Sequence, residues 1–289
     1  MKLALSQLLR GRVGSYVLTK ALANCAWMAG DQNEQHVITK NLLKHFQHRT
    51  PFPHPLIDEI EDPSDPPAIL LRWLDDDALD ASNSKRFTRS EVKFVAKGVL
   101  EALSGLHSEG YVHCDVNPSN ILVNRGTGDG SITEVQLADL GGTMGAEIFR
   151  SPEAQLQLEW APACDIWSFG PHSSACCTAK VPRGDESYSL NVLLKHVRIF
   201  RPWSVTWKEL VGDVQMGILI YTMEISPKEA LKPFKNNFVL KIMKLDPRDR
   251  PSAQELLRDE WFKEEIVLDV KTLLRCLEQC GTSSVPNVP

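Results

Sequence analysis

The chain has 289 residues, of which 43% are hydrophobic and 24% are charged. That balance is typical of a soluble globular protein and excludes a mostly disordered, collagenous or fibrous chain. Its 32 basic and 37 acidic side chains give a formal charge of −5 at pH 7, so the chain lacks the global basic field that a nucleic-acid partner requires. A chain of this length favours a single two-lobed unit.

Targeting and redox signals are sparse. No apolar run approaches the roughly 20 residues that span a bilayer, and residues 1–10 lack the apolar core and cleavage site of a secretion signal. We therefore expect no membrane partner and an intracellular location, either cytoplasmic or nuclear. The seven cysteines lack Cys-x-x-Cys spacing, which favours reduced thiols over disulfides or a zinc site.

Residues 1–74 predict a small sheet with loops. Short β-like runs occur at residues 16–18, 36–38 and 68–71, whereas residues 51–67 are rich in proline and favour a loop. The triple acid at 75–77 and the polar run at 82–85 mark a shift in composition. This segment is predicted to connect two lobes, although a solvated acidic turn explains it equally simply.

The second half begins with the clearest helix signal. Thr88 and Glu91 form a capping box, apolar residues then recur at helical spacing over 92–106, and Gly110 ends the pattern. Residues 121–123 and 135–137 flank a glycine-rich loop and predict a β-hairpin. Helical patterns follow at residues 190–200, 210–224, 237–245 and 252–262, the last opened by Ser252 and Glu255.

Three polar residues around the hairpin are candidates for chemistry. Asp115 and Asn120 lie five residues apart just before its first strand, and Asp139 follows its second strand. A single carboxylate in a loop is usually a turn former or a helix cap. Here, however, an Asp and an Asn lie before a hairpin whose second strand ends in Asp-Leu-Gly, an arrangement that can bring two metal ligands together with a base.

At these residues the chain resembles the eukaryotic protein kinases, through blocks in the family's order. His113-Cys-Asp-Val-Asn-Pro-Ser-Asn120 is similar to the catalytic loop and Asp139-Leu-Gly141 to the magnesium-binding Asp-Phe-Gly. Phe149-Arg-Ser-Pro-Glu153 is similar to the end of the activation segment, and Asp165-Ile-Trp-Ser-Phe-Gly170 to the start of the buried central helix. Leu245-Asp-Pro-Arg-Asp-Arg-Pro251 completes the set and implies an ion pair between Glu153 and Arg250.

The resemblance implies an α+β, two-lobed kinase-like fold with a small β-rich N-lobe and a larger helical C-lobe. Residues 1–74 would form a degenerate N-lobe, residues 75–268 the C-lobe, and residues 269–289 a C-terminal helix and a disordered tail. It also implies ATP and Mg²⁺ as cofactors and a protein as substrate or partner, and we expect a monomer. Pro118 and Asn120 resemble the serine/threonine version of the loop.

Residue roles follow from the same resemblance. Asp115 would be the base that orients the substrate hydroxyl, and Asn120 and Asp139 would bind the magnesium ions on ATP. Leu122 would form the floor of the adenine pocket. Asn117 stands where the family has a lysine, so one positive charge near the transferred phosphoryl group is missing. Cys114 replaces the usual arginine that binds an activation-loop phosphate, which argues against phosphate-driven switching.

The ATP-binding signals of the first lobe are incomplete. Gly11, Gly14 and Val17 form only a partial glycine-rich loop, and glycines in a plain turn explain them equally well. Lys40 is the best candidate for the lysine that holds the α- and β-phosphates, with a solvated surface lysine as the alternative. Residues 41–49 contain no glutamate to pair with it.

Three hypotheses remain open on the sequence alone. The chain is a serine/threonine kinase, with transfer weakened by the missing lysine, or a pseudokinase that acts as a binding or scaffolding module. The third is a decayed gene or an incorrectly joined coding sequence. It is motivated by the short stretch from Asp139 to Glu153 and by a proline and polar run after Phe169, where the family has a buried helix.

Overall fold

The computed structural model describes residues 4–23, 26–30, 35–39, 56–65, 68–128, 130–140, 145, 147–170, 182, 185–200, 202–226 and 237–263. Its first part is a six-stranded antiparallel sheet that closes into a barrel in the order β1-β2-β3-β4-β6-β5. The strands are β1 (Leu8–Gly11), β2 (Ser15–Ala23), β3 (Ala26–Gly30), β4 (Gln35–Thr39), β5 (Leu56–Asp62) and β6 (Ala68–Arg72). The predicted small N-terminal sheet is confirmed.

Strand β5 corrects the prediction of a loop over residues 51–67. Its buried positions are Asp58 and Ile60, which alternate along the strand, and β5 pairs with both β1 and β6. One of the two buried positions is a carboxylate, so the sequence lacks the apolar alternation that indicates a strand. Prolines on both sides of the segment also favour a loop. Asp58 is buried through hydrogen bonds to the β1–β2 turn.

The second sheet confirms the predicted hairpin. It contains β7 (Asp76–Asp77), β8 (Ile121–Arg125) and β9 (Ile132–Leu137), paired in that order. The acidic triplet is not simply a connection, because Asp77 both pairs with Leu122 and caps helix α1 (Ala78–Ser84) by accepting the Asp80 N–H at 2.9 Å. The polar run at 82–85 is thus the end of a helix, and the segment as a whole lies between β6 and α2.

Helix α2 (Arg89–Ser108) is the centre of the helical core. The Thr88–Glu91 capping box is present in both directions, and the helix ends before Gly110, whose φ is +79°. Its apolar stripe, including Val95, Leu100 and Leu103, is buried against β9 and the C-terminal helices. Here local capping and apolar periodicity agree, which explains why the sequence predicts this helix so well.

The remaining helices follow the predicted order with altered bounds, except for a short helix after Ser151 that the sequence does not predict. They are α3 (Pro152–Gln155), α4 (Pro162–Phe169), α5 (Tyr188–Phe200), α6 (Asp213–Glu224), α7 (Asn237–Ile242), α8 (Ala253–Leu256) and α9 (Glu260–Lys263). The single helix predicted over 252–262 is broken, because Asp259 accepts the Trp261 N–H at 2.9 Å and starts a new turn. No helix in the described part of the chain is long and apolar enough to span a bilayer.

Contacts among the described residues join the barrel to the helical part. Leu140 packs against Ile69 and Leu71 of the barrel and also against the large helical core. Arg72, at the end of β6, forms an ion pair with Glu134 of β9. Residue 140 follows Asp139 directly, so the junction between the two parts lies beside the candidate metal ligand.

His196 is a buried titratable group in the helical core. It is 1% exposed on α5, its ring lies 4.7 Å edge-on to that of Trp167, and its Nδ1 has no hydrogen-bond partner among the described residues. Burial, together with the nearby charges of Arg250 and Lys195, lowers its pKa to about 3. The folded protein therefore holds His196 neutral in neutral and mildly acidic solution.

We expect His196 to make the protein less stable in mild acid. Its pKa is about 6.5 in an unfolded chain, so below that pH the unfolded state binds the extra proton and stability falls. The slope is about 1.4 kcal/mol per pH unit for one proton. Urea unfolding between pH 5 and 6.5 measures how the free energy of unfolding changes with pH. In His196→Leu that slope should be smaller than in the parent by about the contribution of one proton, and equal slopes would contradict this.

Candidate active site

The loop that carries Asp115 is held by the buried carboxylate of Asp165, on α4. Asp165 is 1% exposed, and it accepts the backbone N–H groups of His113 at 2.7 Å and Cys114 at 2.9 Å. The ring Nε2 of His107 lies 2.9 Å from the same carboxylate. These contacts hold Cys114 at a φ of +67°, a conformation that a non-glycine residue adopts only when its surroundings impose it.

The His113 side chain connects this loop to the residue before Asp139. Its Nε2 lies 2.9 Å from the Ala138 carbonyl oxygen, and its Nδ1 accepts the Asp115 N–H at 3.3 Å. Burial lowers the pKa of His113 and outweighs the opposing effect of the nearby carboxylates of Asp165, Asp115 and Asp139. A neutral ring with the proton on Nε2 satisfies both hydrogen bonds.

The hairpin brings Asn120 and Asp139 to the same end of the sheet. Ile121 pairs with Leu137, and beyond that pair Ala138 donates its N–H to the Asn120 carbonyl at 2.8 Å. Asp139 comes next, exposed and at a φ of +61°. The register of the hairpin therefore places the two predicted metal ligands beside each other.

The donor set fits a magnesium ion. Asn120 donates its Nδ2 to the Asp115 carbonyl at 2.9 Å, which leaves the amide oxygen Oδ1 to ligate a cation. Asp139 adds an exposed carboxylate. Carboxylate and amide oxygens are the ligands that Mg²⁺ prefers in proteins.

Asn117 orients the predicted base. Its Nδ2 donates to Asp115 Oδ1 at 2.7 Å and to the Asp115 carbonyl at 3.2 Å, while its Oδ1 accepts the Ser119 N–H at 2.9 Å. Among the described residues, the other carboxylate oxygen of Asp115, Oδ2, receives no hydrogen bond. Asn117 is thus a neutral group that fixes one oxygen of Asp115 and leaves the other open.

Gly145 approaches Asp115 from the activation segment, a contact that no sequence pattern indicates. A Cβ at position 145 would overlap Asp115 Oδ1, so only glycine fits there. The Gly145 N–H donates to the Cys114 carbonyl at 3.2 Å, and Arg150 Nε donates to the Gly145 carbonyl at 2.8 Å. These two hydrogen bonds hold the segment against the loop.

The ion pair implied for Glu153 and Arg250 is present and buried. Arg250 Nη1 and Nη2 lie 2.5 and 2.9 Å from the two carboxylate oxygens of Glu153. Arg250 also donates to the carbonyls of Ala163, Lys244 and Leu245. Burial alone would raise the pKa of Glu153, but Arg250 lowers it below its ordinary value. The pair ties the activation segment to the C-terminal helices.

The predicted nucleotide-binding residues of the described chain lie on the barrel and on β8, the strand that follows Asn120. Leu122 is half-buried on β8, and Val17 is 41% exposed on β2. Gly11 and Gly14 lie in the β1–β2 turn, where the N–H of Gly14 donates to Asp58 Oδ2 at 3.0 Å. A phosphate could bind that N–H only by displacing a carboxylate. Lys40 lies outside the described residues.

Comparison with known proteins supports the same family. The protein kinase domain model matches residues 56–262. The chain is 28% identical to the CTD kinase subunit alpha of Schizosaccharomyces pombe, over 68% of this chain and 36% of that protein. It is 26% identical to mitogen-activated protein kinase kinase 1 of Arabidopsis thaliana, over 68% and 54%. It is 23% identical to mitogen-activated protein kinase p38a of Drosophila melanogaster, over 77% and 66%.

Breaking the Glu153–Arg250 pair should strongly destabilise the fold. Arg250→Ala leaves the Glu153 carboxylate buried without its cation, a change that typically costs about 3 to 5 kcal/mol. Chemical unfolding would measure the loss. Lys263→Ala, which removes an exposed ion pair with Glu260, is the matched control and should change stability little. Equal effects of the two variants would contradict the structural role assigned to the buried pair.

Proposed function

The chain belongs to the protein kinase family, and on that premise we propose that it transfers the γ-phosphoryl group of MgATP to a serine or threonine hydroxyl of a protein. The observation that carries the proposal is the state of Asp115. One of its oxygens is fixed by Asn117, and the other receives no hydrogen bond from the described residues, so it can accept one from a substrate hydroxyl. Asn120 is hydrogen-bonded to the same loop.

In this proposal the substrate hydroxyl donates its hydrogen bond to Asp115 Oδ2. The hydroxyl oxygen then bonds to the γ-phosphorus, the bond from that phosphorus to the β–γ bridging oxygen breaks, and ADP leaves with that oxygen. The hydroxyl proton passes to Asp115 as the new bond forms. Asn117 keeps the carboxylate in its orientation throughout.

The remaining site residues are assigned by the same proposal. Asn120 Oδ1 and the Asp139 carboxylate would hold Mg²⁺, which when bound neutralises charge on the β- and γ-phosphates. Leu122 would contact the adenine and Lys40 the α- and β-phosphates, with Val17 above the nucleotide. Gly11 and Gly14 would cover the phosphates only if their turn released Asp58.

A second candidate function is a pseudokinase that binds a partner protein without phosphotransfer. It is favoured by one specific observation: Asn117 is neutral where the family has lysine, and its amide is committed to Asp115. The loss of one preorganised charge-stabilising group typically costs about 10²- to 10³-fold in rate. The two functions differ in whether the radiolabelled γ-phosphoryl group of ATP is transferred to a protein.

The first test removes the base. Asp115→Asn should lower transfer from radiolabelled ATP to a serine- and threonine-containing peptide library by about 10²- to 10⁴-fold, since the amide cannot accept the proton. Stabilisation of the fold by MgATP, measured by thermal melting, should persist. Transfer by the variant at the parent's rate would sink the kinase proposal, and a parent that transfers nothing would favour the pseudokinase.

The second test restores the missing charge. Asn117→Lys should raise the rate of transfer, because an ammonium group near the transferred phosphoryl group stabilises charge in the transition state. Asn117→Met is the matched control: it removes the amide without adding charge, so it should be slower than the parent. A lysine variant no faster than the methionine variant would show that this charge is not what limits transfer.

A further inference from the structure

The β1–β2 turn has the form of an anion-binding cradle. The backbone N–H groups of three successive residues, Arg12, Val13 and Gly14, point into one concavity. Successive N–H groups arranged in this way bind anions through their fixed partial positive charges. The turn is closed by a hydrogen bond of 2.8 Å from the Gly11 N–H to the Gly14 carbonyl.

Asp58 fills this cradle from strand β5. Its Oδ1 accepts the Arg12 N–H at 2.9 Å and its Oδ2 accepts the N–H groups of Val13 at 2.9 Å and Gly14 at 3.0 Å. The buried hydroxyl of Tyr16 donates to Oδ2 at 3.0 Å, and the Glu59 N–H donates to Oδ1 at 2.7 Å. Five donors therefore satisfy a carboxylate that is only 4% exposed.

The glycines of the turn fit this carboxylate closely. A Cβ at Gly11 would overlap Asp58 Oδ2, and a Cβ at Gly14 would lie 3.0 Å from the Tyr16 hydroxyl. Gly11 is therefore needed for the approach of Asp58 itself. The close approach of Asp58 therefore explains why residue 11 is glycine without any contact to a nucleotide.

The described groups around the turn carry no free positive charge toward its concavity, which favours a singly charged carboxylate over a phosphate. All five donors are neutral backbone or hydroxyl groups, whereas the Arg12 side chain points outward to Glu59 and Glu61 at 3.0 and 3.1 Å. A nucleotide phosphate would meet a buried negative charge here. Displacing Asp58 would leave that carboxylate buried without its donors, which is costly.

We propose that the Gly11–Gly14 turn is a carboxylate-binding site occupied by the chain's own Asp58, which fastens β1 to β5 and keeps nucleotide phosphates out of the turn. None of its atoms belongs to the loop of Asp115, so the site can be tested without an assay of phosphotransfer. MgATP bound elsewhere by the chain would leave the turn unchanged.

Chemical rescue tests the site directly. Asp58→Ala should lower the melting temperature by roughly 4 to 12 °C, because buried donors lose a charged acceptor. Sodium formate, which supplies the missing carboxylate, should restore part of that loss relative to sodium chloride at equal ionic strength. If the variant does not fold in chloride, recovery of folded protein in formate is the equivalent result.

Matched variants separate this result from a general salt effect. Asp58→Asn keeps the shape but places an amide against the donors, so it should be destabilised and insensitive to formate. Glu61→Ala, which removes an exposed carboxylate on the same strand, should also ignore formate. An asparagine variant as stable as the parent, or an alanine variant that formate does not help, would overturn the proposal.

The exclusion of phosphates has its own readout. The amide resonances of Val13 and Gly14 in the parent should not move when MgATP is added, while those near Asp139 should move if the proposed kinase site binds nucleotide. Movement at Val13 and Gly14 would overturn the exclusion of phosphates. If no resonance moves, the proposed function fails, whereas the carboxylate site is still decided by the formate experiment.

Discussion

The candidate site depends above all on the hydrogen bonds that the buried Asp165 carboxylate accepts from two consecutive backbone N–H groups. Those bonds hold Cys114 in a left-handed conformation, and the conformation directs the His113 ring and the Asp115 carboxylate to their places. Each buried N–H left without an acceptor would cost about 1 to 3 kcal/mol. The geometry of the loop is therefore set by a residue 51 positions beyond Cys114 in the chain.

Buried carboxylates serve the same purpose in three places. Asp165 fixes the loop of Asp115, Glu153 fixes the segment before α3 through Arg250, and Asp58 fixes the β1–β2 turn. In each case a long-range partner satisfies an anion that burial alone would disfavour. The chain thus holds these loops through contacts between its own residues, among them the hydrogen bond from Arg150 to the Gly145 carbonyl.

The sequence predicts the parts of the fold in which local signals agree. The capping box at Thr88 and the apolar stripe predict α2, and the hairpin follows from two apolar runs around glycines. The Glu153–Arg250 pair is implied only by the family resemblance, because it joins residues 97 apart. Strand β5 escapes prediction, since Asp58 is an acidic residue whose donors in the β1–β2 turn meet it only on folding. Helix α1 also escapes prediction, although its cap at Asp77 is a local contact.

The candidate site shows the same limit. Its residues can be named from motif spacing, but the role of Asn117 as an orienting group depends on a 2.7 Å hydrogen bond that spacing does not predict. The approach of Gly145 to Asp115 is equally invisible in the sequence, because it depends on how a loop folds back. Contacts such as those of Asn117 and Gly145 depend on the folded loop and leave no periodic pattern in the sequence.

The most direct measurement of the central claim is calorimetric titration of the protein with a non-hydrolysable ATP analogue, with Mg²⁺ and again with EDTA. Our account predicts binding that requires Mg²⁺ and is weakened by Asp139→Asn, because Asn120 and Asp139 supply the oxygen ligands at the end of the hairpin. Binding of equal strength in EDTA, or no binding in either condition, would contradict the assignment of this cluster as a magnesium-nucleotide site.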